Sequence, residues 1–102
     1  MRETATDEAM STTARREVTI LNNAGLHLRP AAAFVQAANK FKNTDVYVIS
    51  DEKRVNGKSI MGLVMLAAGK GTKLTIECVG DQSEEAADTL AQLIENHFGM
   101  DT

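Results

Sequence analysis

The stretch of residues 18–41 limits the possible folds most strongly, because its hydrophobic pattern changes from that of a strand to that of a helix. Residues 18–21 form a short apolar run typical of a strand, and the Asn and Gly residues at 22–25 indicate a turn. Residues 28–41 carry apolar side chains at helical spacing. Pro30 suits the first turn of that helix, because it has no N–H to donate and its ring fixes φ. The sequence therefore predicts a strand, a tight turn and a helix that begins near residue 28.

His27 lies just before this helix, where an anionic group attached to its ring would meet unpaired backbone donors. Arg29 adds a permanent positive charge and a planar fork of donors that fits phosphate oxygens. A neutral imidazole is nucleophilic near pH 7, and its N–P bond is weak enough to pass a phosphoryl group on. His27 is therefore a candidate phosphoryl acceptor, with Arg29 as its stabilising partner and Pro30 at the helix start. The alternative is that His27 only caps the helix and Arg29 is only solvated.

The rest of the chain predicts four strands and three helices in all. The expected strands are 17–21, 45–50, a short one near Arg54 and Val55, and 73–79; the expected helices are 28–41, a brief one after Ser59, and one that starts at the capping-box pair Asp81 and Glu84. This order of elements is typical of an α+β sandwich whose helices cover one face of an antiparallel sheet.

Length and composition set further bounds. A chain of 102 residues is enough for one domain. Residues 1–16 show no apolar periodicity, so we expect a disordered N-terminal extension followed by a domain formed by residues 17–102. A net charge of -3 argues against general nucleic-acid binding. No run is apolar enough to cross a membrane and the N-terminal residues lack an apolar signal core, so a cytoplasmic location is expected.

Cys78 and His97 are expected to have structural roles. Cys78 is the only cysteine, which excludes an internal disulfide, and it falls in phase with Leu74 and Ile76 on a strand. We expect it to be a small buried apolar residue. His97, near the end of the last helix, has no neighbouring residues at metal-ligand spacing, so we interpret it as a favourable C-terminal side chain and predict no metal or cofactor.

The charges are unevenly distributed along the chain. Residues 29–73 hold eight basic and three acidic residues, whereas residues 77–102 hold seven acidic residues and none that is basic. The sequence therefore allows a positive surface around His27 and a negative last helix. The alternative is that these charges decorate unrelated solvated faces.

A second motif lies at residues 55–66, VNGKSIMGLVML. Ser59 precedes its apolar stretch and is typical of a helix N-cap. Together with GLHLRPAA at residues 25–32, this motif resembles the HPr phosphocarrier family of the bacterial phosphoenolpyruvate-dependent phosphotransferase system, including its nitrogen-type and regulatory relatives. The resemblance covers about residues 17–98. It departs from the family at Leu28, where a smaller residue is usual, and in the N-terminal extension.

The resemblance implies an open-faced β-sandwich, a four-stranded antiparallel sheet of order 1-4-2-3 covered on one face by three helices. It also implies that His27 becomes a pros-phosphohistidine by accepting a phosphoryl group from phosphorylated enzyme I. The group then passes to enzyme IIA domains for sugar uptake, so the chain is a substrate of transferases and not an independent enzyme. Ile60, Met61 and Val64 are spaced so that one side of the short helix can remain outside the core. Because the family meets its partners with this helix and the first helix, we expect partners to dock on these three residues; the alternative is that all three belong to the core. The carrier is expected to be a monomer.

The matching serine of many relatives is phosphorylated by HPr kinase/phosphorylase, which suggests regulatory phosphorylation at Ser59. A phosphate there would add about −1.5 to −2 charges beside the docking residues. The alternative function is a regulatory binding module, of the nitrogen-type branch or of carbon catabolite control, whose phosphorylation state selects its partner proteins.

Overall fold

Four strands form one antiparallel sheet in the order β1-β4-β2-β3, which confirms the α+β sandwich. The computed structural model describes residues 12–100. The strands are β1 (Thr13–Thr19), β2 (Thr44–Ser50), β3 (Lys53–Asn56) and β4 (Lys73–Gly80); the helices are α1 (Leu28–Ala38), α2 (Ile60–Met65) and α3 (Ser83–Glu95), followed by a 3-10 turn (His97–Gly99).

One face of the sheet packs against the helices, because strand residues two apart point to the same side. The register pairs Val18 with Leu74, and it pairs Ile76 with Val48 on the neighbouring strand. These side chains are buried, as are those that α1, α2 and α3 turn toward them, among them Phe34, Leu63, Leu90 and Ile94. Packing against the sheet thus fixes the position of each helix, including that of the start of α1.

Strand β1 begins at Thr13 and ends at Thr19, so both bounds of the predicted strand, residues 17–21, lie too late in the sequence. Arg16 holds the early part of the strand in place: its guanidinium bonds Glu84 at 2.7 Å and Asp88 at 2.8 Å, both on α3. Residues 13–16 of the expected extension therefore belong to the sheet. Residues 1–11, on which the rest of that expectation falls, lie outside the described residues.

Helix α1 ends at Ala38 and not at residue 41, because the N–H groups of Lys40 and Phe41 bond to carbonyls three residues back. Such bonds tighten and end an α-helix. The ammonium group of Lys58 then donates to the carbonyls of Phe41 (2.8 Å) and Thr44 (2.7 Å). A lysine from the loop before α2 therefore closes the connection between α1 and β2.

The predicted capping box of Asp81 and Glu84 is wrong, because α3 starts at Ser83 with Gln82 as its N-cap and no side-chain cap bond. The N–H of Gln82 donates instead to the buried hydroxyl of Thr44 at 3.2 Å. This hydroxyl, which lies 38 residues away in sequence, takes the role that a capping-box glutamate has in an ordinary helix start.

Cys78 is buried, as predicted, and burial raises the pKa of its thiol to about 11. His97 is exposed in the turn after α3, where its φ is +55°. Between residues 12 and 100, no helix has the length and apolar character that crossing a membrane requires. That same part of the chain contains no group of three or more His, Cys, Asp or Glu residues able to hold a metal ion.

The solvent-facing side of the sheet carries a charge cluster centred on Glu77 of β4. Its carboxylate accepts bonds from Arg15 of β1 at 2.8 Å and from Arg54 of β3 at 3.0 Å. The Arg54 guanidinium lies 3.7 Å from the centre of the Tyr47 ring, a cation–π distance. Glu77 is only 7% exposed because these side chains cover it. Hydrogen bonds from Arg54 and Arg15 hold the pKa of the Glu77 carboxyl below its ordinary value of 4.5.

We expect Glu77→Gln to lower the free energy of unfolding by about 1 kcal/mol at pH 7, because two charge-assisted contacts to half-exposed arginines are lost. A lowered pKa in the folded state stabilises the fold above the unfolded-state pKa, and this contribution disappears as pH falls through the folded-state pKa. The difference between the two proteins should therefore shrink below about pH 4.

Urea unfolding of both proteins at several pH values measures this difference. Glu17→Gln is the matched control, because Glu17 is an exposed carboxylate on the same strand as Arg15 and has no ion pair within residues 12–100. A deficit of equal size at pH 3 and pH 7 would contradict the charge-based explanation.

Candidate functional site

The loop before α1 is fixed against the end of α2 by backbone contacts. Gly25 has a φ of +74°, and a Cβ at this position would lie 2.5 Å from the carbonyl oxygen of Ala68. The N–H of Leu26 donates to the same oxygen at 2.9 Å. Asn22 is fully buried and donates through Nδ2 to the carbonyl of Gly25 at 2.8 Å. Only glycine allows both the turn and the close approach, so Gly25 sets the position of the following residues.

His27 is the N-cap of α1, as the sequence predicts. Its backbone is extended (φ −87°, ψ −169°), and its carbonyl accepts the first helical bond from the N–H of Ala31 at 2.9 Å. Its side chain makes no cap hydrogen bond. The N–H groups of Leu28 and Arg29 come too early in the helix to have an acceptor within it, and Pro30 has no N–H. An imidazole therefore takes a position where Ser, Thr, Asp or Asn would normally bond to the helix.

The half-buried His27 ring borders a shallow cleft of about 260 Å³. The other residues around this cleft are small or apolar: Ala24, Leu26, Val64, Ala67, Ala68 and Gly69. The Nε2 atom is buried and has no hydrogen-bond partner among residues 12–100. Packing against these walls, and not hydrogen bonding to the protein, orients the imidazole.

The positive groups near the start of α1 are exposed. Arg29 forms no ion pair with any residue that the structure describes, so its guanidinium is available to an anion. Lys70 follows the cleft residue Gly69 and donates to Asn23 Oδ1 at 3.0 Å. On the far side of the sequence's charge asymmetry, Arg16 pairs with two acidic side chains of α3, Glu84 and Asp88, and offsets one of their two charges.

Ser59 is the N-cap of α2, which confirms the capping interpretation. Its Oγ accepts a hydrogen bond from the N–H of Gly62 at 3.0 Å. A Cβ at Gly62 would lie 3.3 Å from this oxygen, so glycine keeps the cap uncrowded. The side chain of the preceding Lys58 turns away to the carbonyls of Phe41 and Thr44. The half-buried Ser59 hydroxyl thus serves the helix as an acceptor and is not paired with the ammonium group of Lys58.

Of the three predicted docking residues, only Met61 is largely exposed. Ile60 and Val64 are half-buried and pack against the core. Sequence reasoning missed two other exposed apolar side chains, Met65 (70% exposed) and Leu28 (62%), which accompany Met61 (65%). Met65 lies four residues after Met61, a spacing that puts both on one helix face, and Leu28 lies on α1, which packs against α2. We call Leu28, Met61 and Met65 the exposed apolar cluster.

The cleft walls at Ala68 and Gly69 were also missed, since the sequence only marks them as a loop. Ala67, which starts this loop, has a φ of +54°, an unfavourable conformation for a residue with a Cβ. No sequence signal links residues 67–69 with His27, because their contact depends on how the two loops pack. The turn glycine, Gly25, was the one visible sign that two backbones approach each other here.

The sequence and the fold both match one known family. The family model described as PTS HPr component phosphorylation site matches residues 14–96. Phosphocarrier protein HPr of Neisseria meningitidis is 46% identical over 85 residues, which are 83% of this chain and 94% of that protein. The crystal structure of HPr-C-His from Thermoanaerobacter tengcongensis superposes with a TM-score of 0.81 at 43% identity, covering 87% of this chain and 99% of that one.

A regulatory relative matches as well. The crystal structure of Crh, the Bacillus subtilis catabolite repression protein, is a domain-swapped dimer; it superposes with a TM-score of 0.67 at 43% identity and covers 80% of this chain and 93% of that one. The family match includes both sequence motifs and all of the sheet except Thr13. This chain therefore belongs to the HPr family, the phosphocarrier proteins of the phosphotransferase system.

Proposed function

We propose that this protein carries a phosphoryl group on Nδ1 of His27 from phosphorylated enzyme I to enzyme IIA domains. The observation that carries this proposal is the imidazole at the N-cap of α1, which makes no cap hydrogen bond and buries its Nε2 atom. Since Nε2 is buried, Nδ1 is the ring nitrogen that we assign to the reaction. This assignment corresponds to a pros-phosphohistidine.

Carriage consists of two in-line displacements at phosphorus. In the first, the Nδ1 lone pair of His27 forms an N–P bond while the bond between phosphorus and the donor histidine of enzyme I breaks. In the second, a histidine of the acceptor attacks the same phosphorus and His27 leaves as a neutral imidazole. Arg29 and the unpaired N–H groups at the start of α1 offer donors to the phosphoryl oxygens in both steps. The protein needs no cofactor for this transfer.

The surface around His27 suits partner proteins that bind briefly. The exposed apolar cluster supplies a small patch that is not used by the core, and Ile60 and Val64 support it from below. We assign docking of enzyme I and enzyme IIA to this patch. Every residue of the proposed site comes from one chain, so carriage requires only a monomer even though Crh crystallises as a dimer.

His27→Ala should abolish labelling from radioactive phosphoenolpyruvate and enzyme I, because the acceptor nitrogen is lost. The fold should remain, with a change in unfolding free energy below about 1 kcal/mol, since the side chain makes no cap bond. His97→Ala is the matched control, because it removes the other histidine from an exposed turn. Acid-labile label on His27→Ala would contradict the assignment, as would a tele-phosphohistidine in the wild-type protein, identified by NMR.

Arg29→Ala should still be labelled but should transfer its phosphoryl group about tenfold to a hundredfold more slowly, which corresponds to the loss of a charge-assisted hydrogen bond of ~1.5–3 kcal/mol. Arg29→Lys should recover only part of the rate, because an ammonium group keeps the charge but lacks the planar fork. Rapid-quench measurements in both directions test this expectation. Lys40→Ala, which removes an exposed charge just after α1, serves as the control. Equal rates for Arg29→Ala and wild type would show that Arg29 is only solvated.

A second role, regulation through phosphorylation of Ser59 by an HPr kinase/phosphorylase, is favoured by the position of its hydroxyl. Ser59 caps the helix that carries Met61 and Met65, so a phosphate would place its charge beside the exposed apolar cluster. If regulation is the main role, the two phosphorylation states select a partner protein. Onward transfer from His27 to a sugar-specific enzyme IIA favours carriage, and its absence favours regulation.

Ser59→Asp should slow the phosphorylation of His27 by enzyme I, because a charge enters a surface that binds through apolar contacts. Ser59→Ala should leave that rate nearly unchanged and should lower stability by ~0.5–2 kcal/mol through loss of the cap to Gly62. Labelling rates at equal folded concentration compare the three proteins. If Ser59→Asp is labelled as fast as wild type and the kinase leaves Ser59 unmodified, the residue is a cap only.

A further inference from the structure

Helix α2 exposes two thioethers beside the proposed phosphorylation site. Met61 is 65% exposed and Met65 is 70% exposed. They lie three residues before and one residue after Val64, which lines the cleft that contains His27. Residues three and four apart share a helix face, so Met61 shares one face with Val64 and another with Met65. Both thioethers therefore belong to the exposed surface of the helix that borders the cleft. A third methionine between residues 12 and 100, Met100, is half-buried and packs against the core.

Cysteine does not compete with these methionines for an oxidant. Cys78 is fully buried on β4, and burial raises the pKa of its thiol to about 11. Thiol oxidation requires the thiolate and access to solvent, and this residue offers neither at neutral pH. Among the sulfur atoms of residues 12–100, the thioethers of α2 are therefore the most accessible to a peroxide.

We propose that Met61 and Met65 form a reversible oxidation site through which peroxides slow phosphoryl transfer. One peroxide oxygen is transferred to each sulfur; the thioether loses two electrons and becomes a sulfoxide, and the peroxide is reduced to water or an alcohol. Methionine sulfoxide reductases reverse the reaction with electrons from a thiol. This proposal rests on the proposed function, because it places the oxidised atoms in the surface that enzyme I contacts.

Oxidation of Met61 and Met65 strongly changes the polarity of the exposed apolar cluster. A sulfoxide turns a flexible apolar side chain into a polar one with a strong acceptor oxygen. When enzyme I docks, the sulfoxide oxygen is buried without a hydrogen-bond donor. The cost of this burial should reduce the rate of His27 phosphorylation by roughly fivefold to tenfold when the concentration of the carrier is low. His27 and the core are not changed, so the oxidised protein should stay folded and should reach the wild-type rate at saturating concentration.

The test treats the full chain with hydrogen peroxide, removes the peroxide with catalase, and only then adds enzyme I and phosphoenolpyruvate. Peptide mass spectrometry locates the sulfoxides, circular dichroism checks the fold, and the initial labelling rate of His27 is compared before and after treatment within each protein. We expect sulfoxides at Met61 and Met65, a fivefold to tenfold lower rate for wild type, and recovery after treatment with the two sulfoxide reductases.

Two variants separate this site from other oxidation events. Met61→Leu combined with Met65→Leu keeps apolar side chains of similar volume and should show the same rate before and after peroxide, whatever its starting rate. Met100→Leu should remain as sensitive as wild type. An unchanged wild-type rate with both sulfoxides present, the absence of those sulfoxides, or an equal loss in the double variant would each overturn the proposal. Failure of the untreated protein to be labelled would count against carriage itself.

Discussion

The close contact between two backbones, Gly25 and Ala68, determines where the functional side chains lie. Gly25 leaves no room for a Cβ, and the neighbouring Leu26 N–H bonds to the Ala68 carbonyl. The loop before α1 therefore cannot move independently of the loop after α2. Because His27 follows the first loop and Val64 precedes the second, one steric constraint brings the imidazole and α2 together. A side chain at position 25 would collide with the backbone of Ala68, a core residue.

The start of α1 lacks the stabilisation that an ordinary N-cap side chain would supply. A Ser, Thr, Asp or Asn at position 27 would bond to the helix and contribute roughly 1 kcal/mol. His27 makes no such bond, whereas Ser59 caps α2 in the usual way. The unpaired donors of α1 are useful only if an anion arrives, which is the event that carriage requires. The two helix starts therefore differ: α1 keeps unpaired donors that suit the proposed phosphoryl group, whereas the start of α2 is capped by Ser59.

Local chemistry was predictable from the sequence, and contacts between distant residues were not. The turn at Gly25, the helix start at Pro30 and the cap at Ser59 follow from rules that involve neighbouring residues, so pattern reasoning located them. The early start of β1 depends on Arg16 reaching residues 68 and 72 positions away, and the start of α3 depends on Thr44. The sheet order came only from the family resemblance, because strand propensity does not choose among the possible pairings.

The unequal exposure of the three expected docking residues has a related cause. The spacing of Ile60, Met61 and Val64 predicts that they lie on one side of the helix. However, α2 is only six residues long and packs against α1 and the sheet. Ile60 and Val64 are therefore half-buried. Periodicity states which residues share a face, but the neighbouring elements decide which face is covered. Meanwhile the ion pairs that strengthen the fold, those of Glu77 and Arg16, are on the sheet and α3. Because these ion pairs do not involve Arg29, its guanidinium and the exposed apolar cluster remain available to the proposed partners.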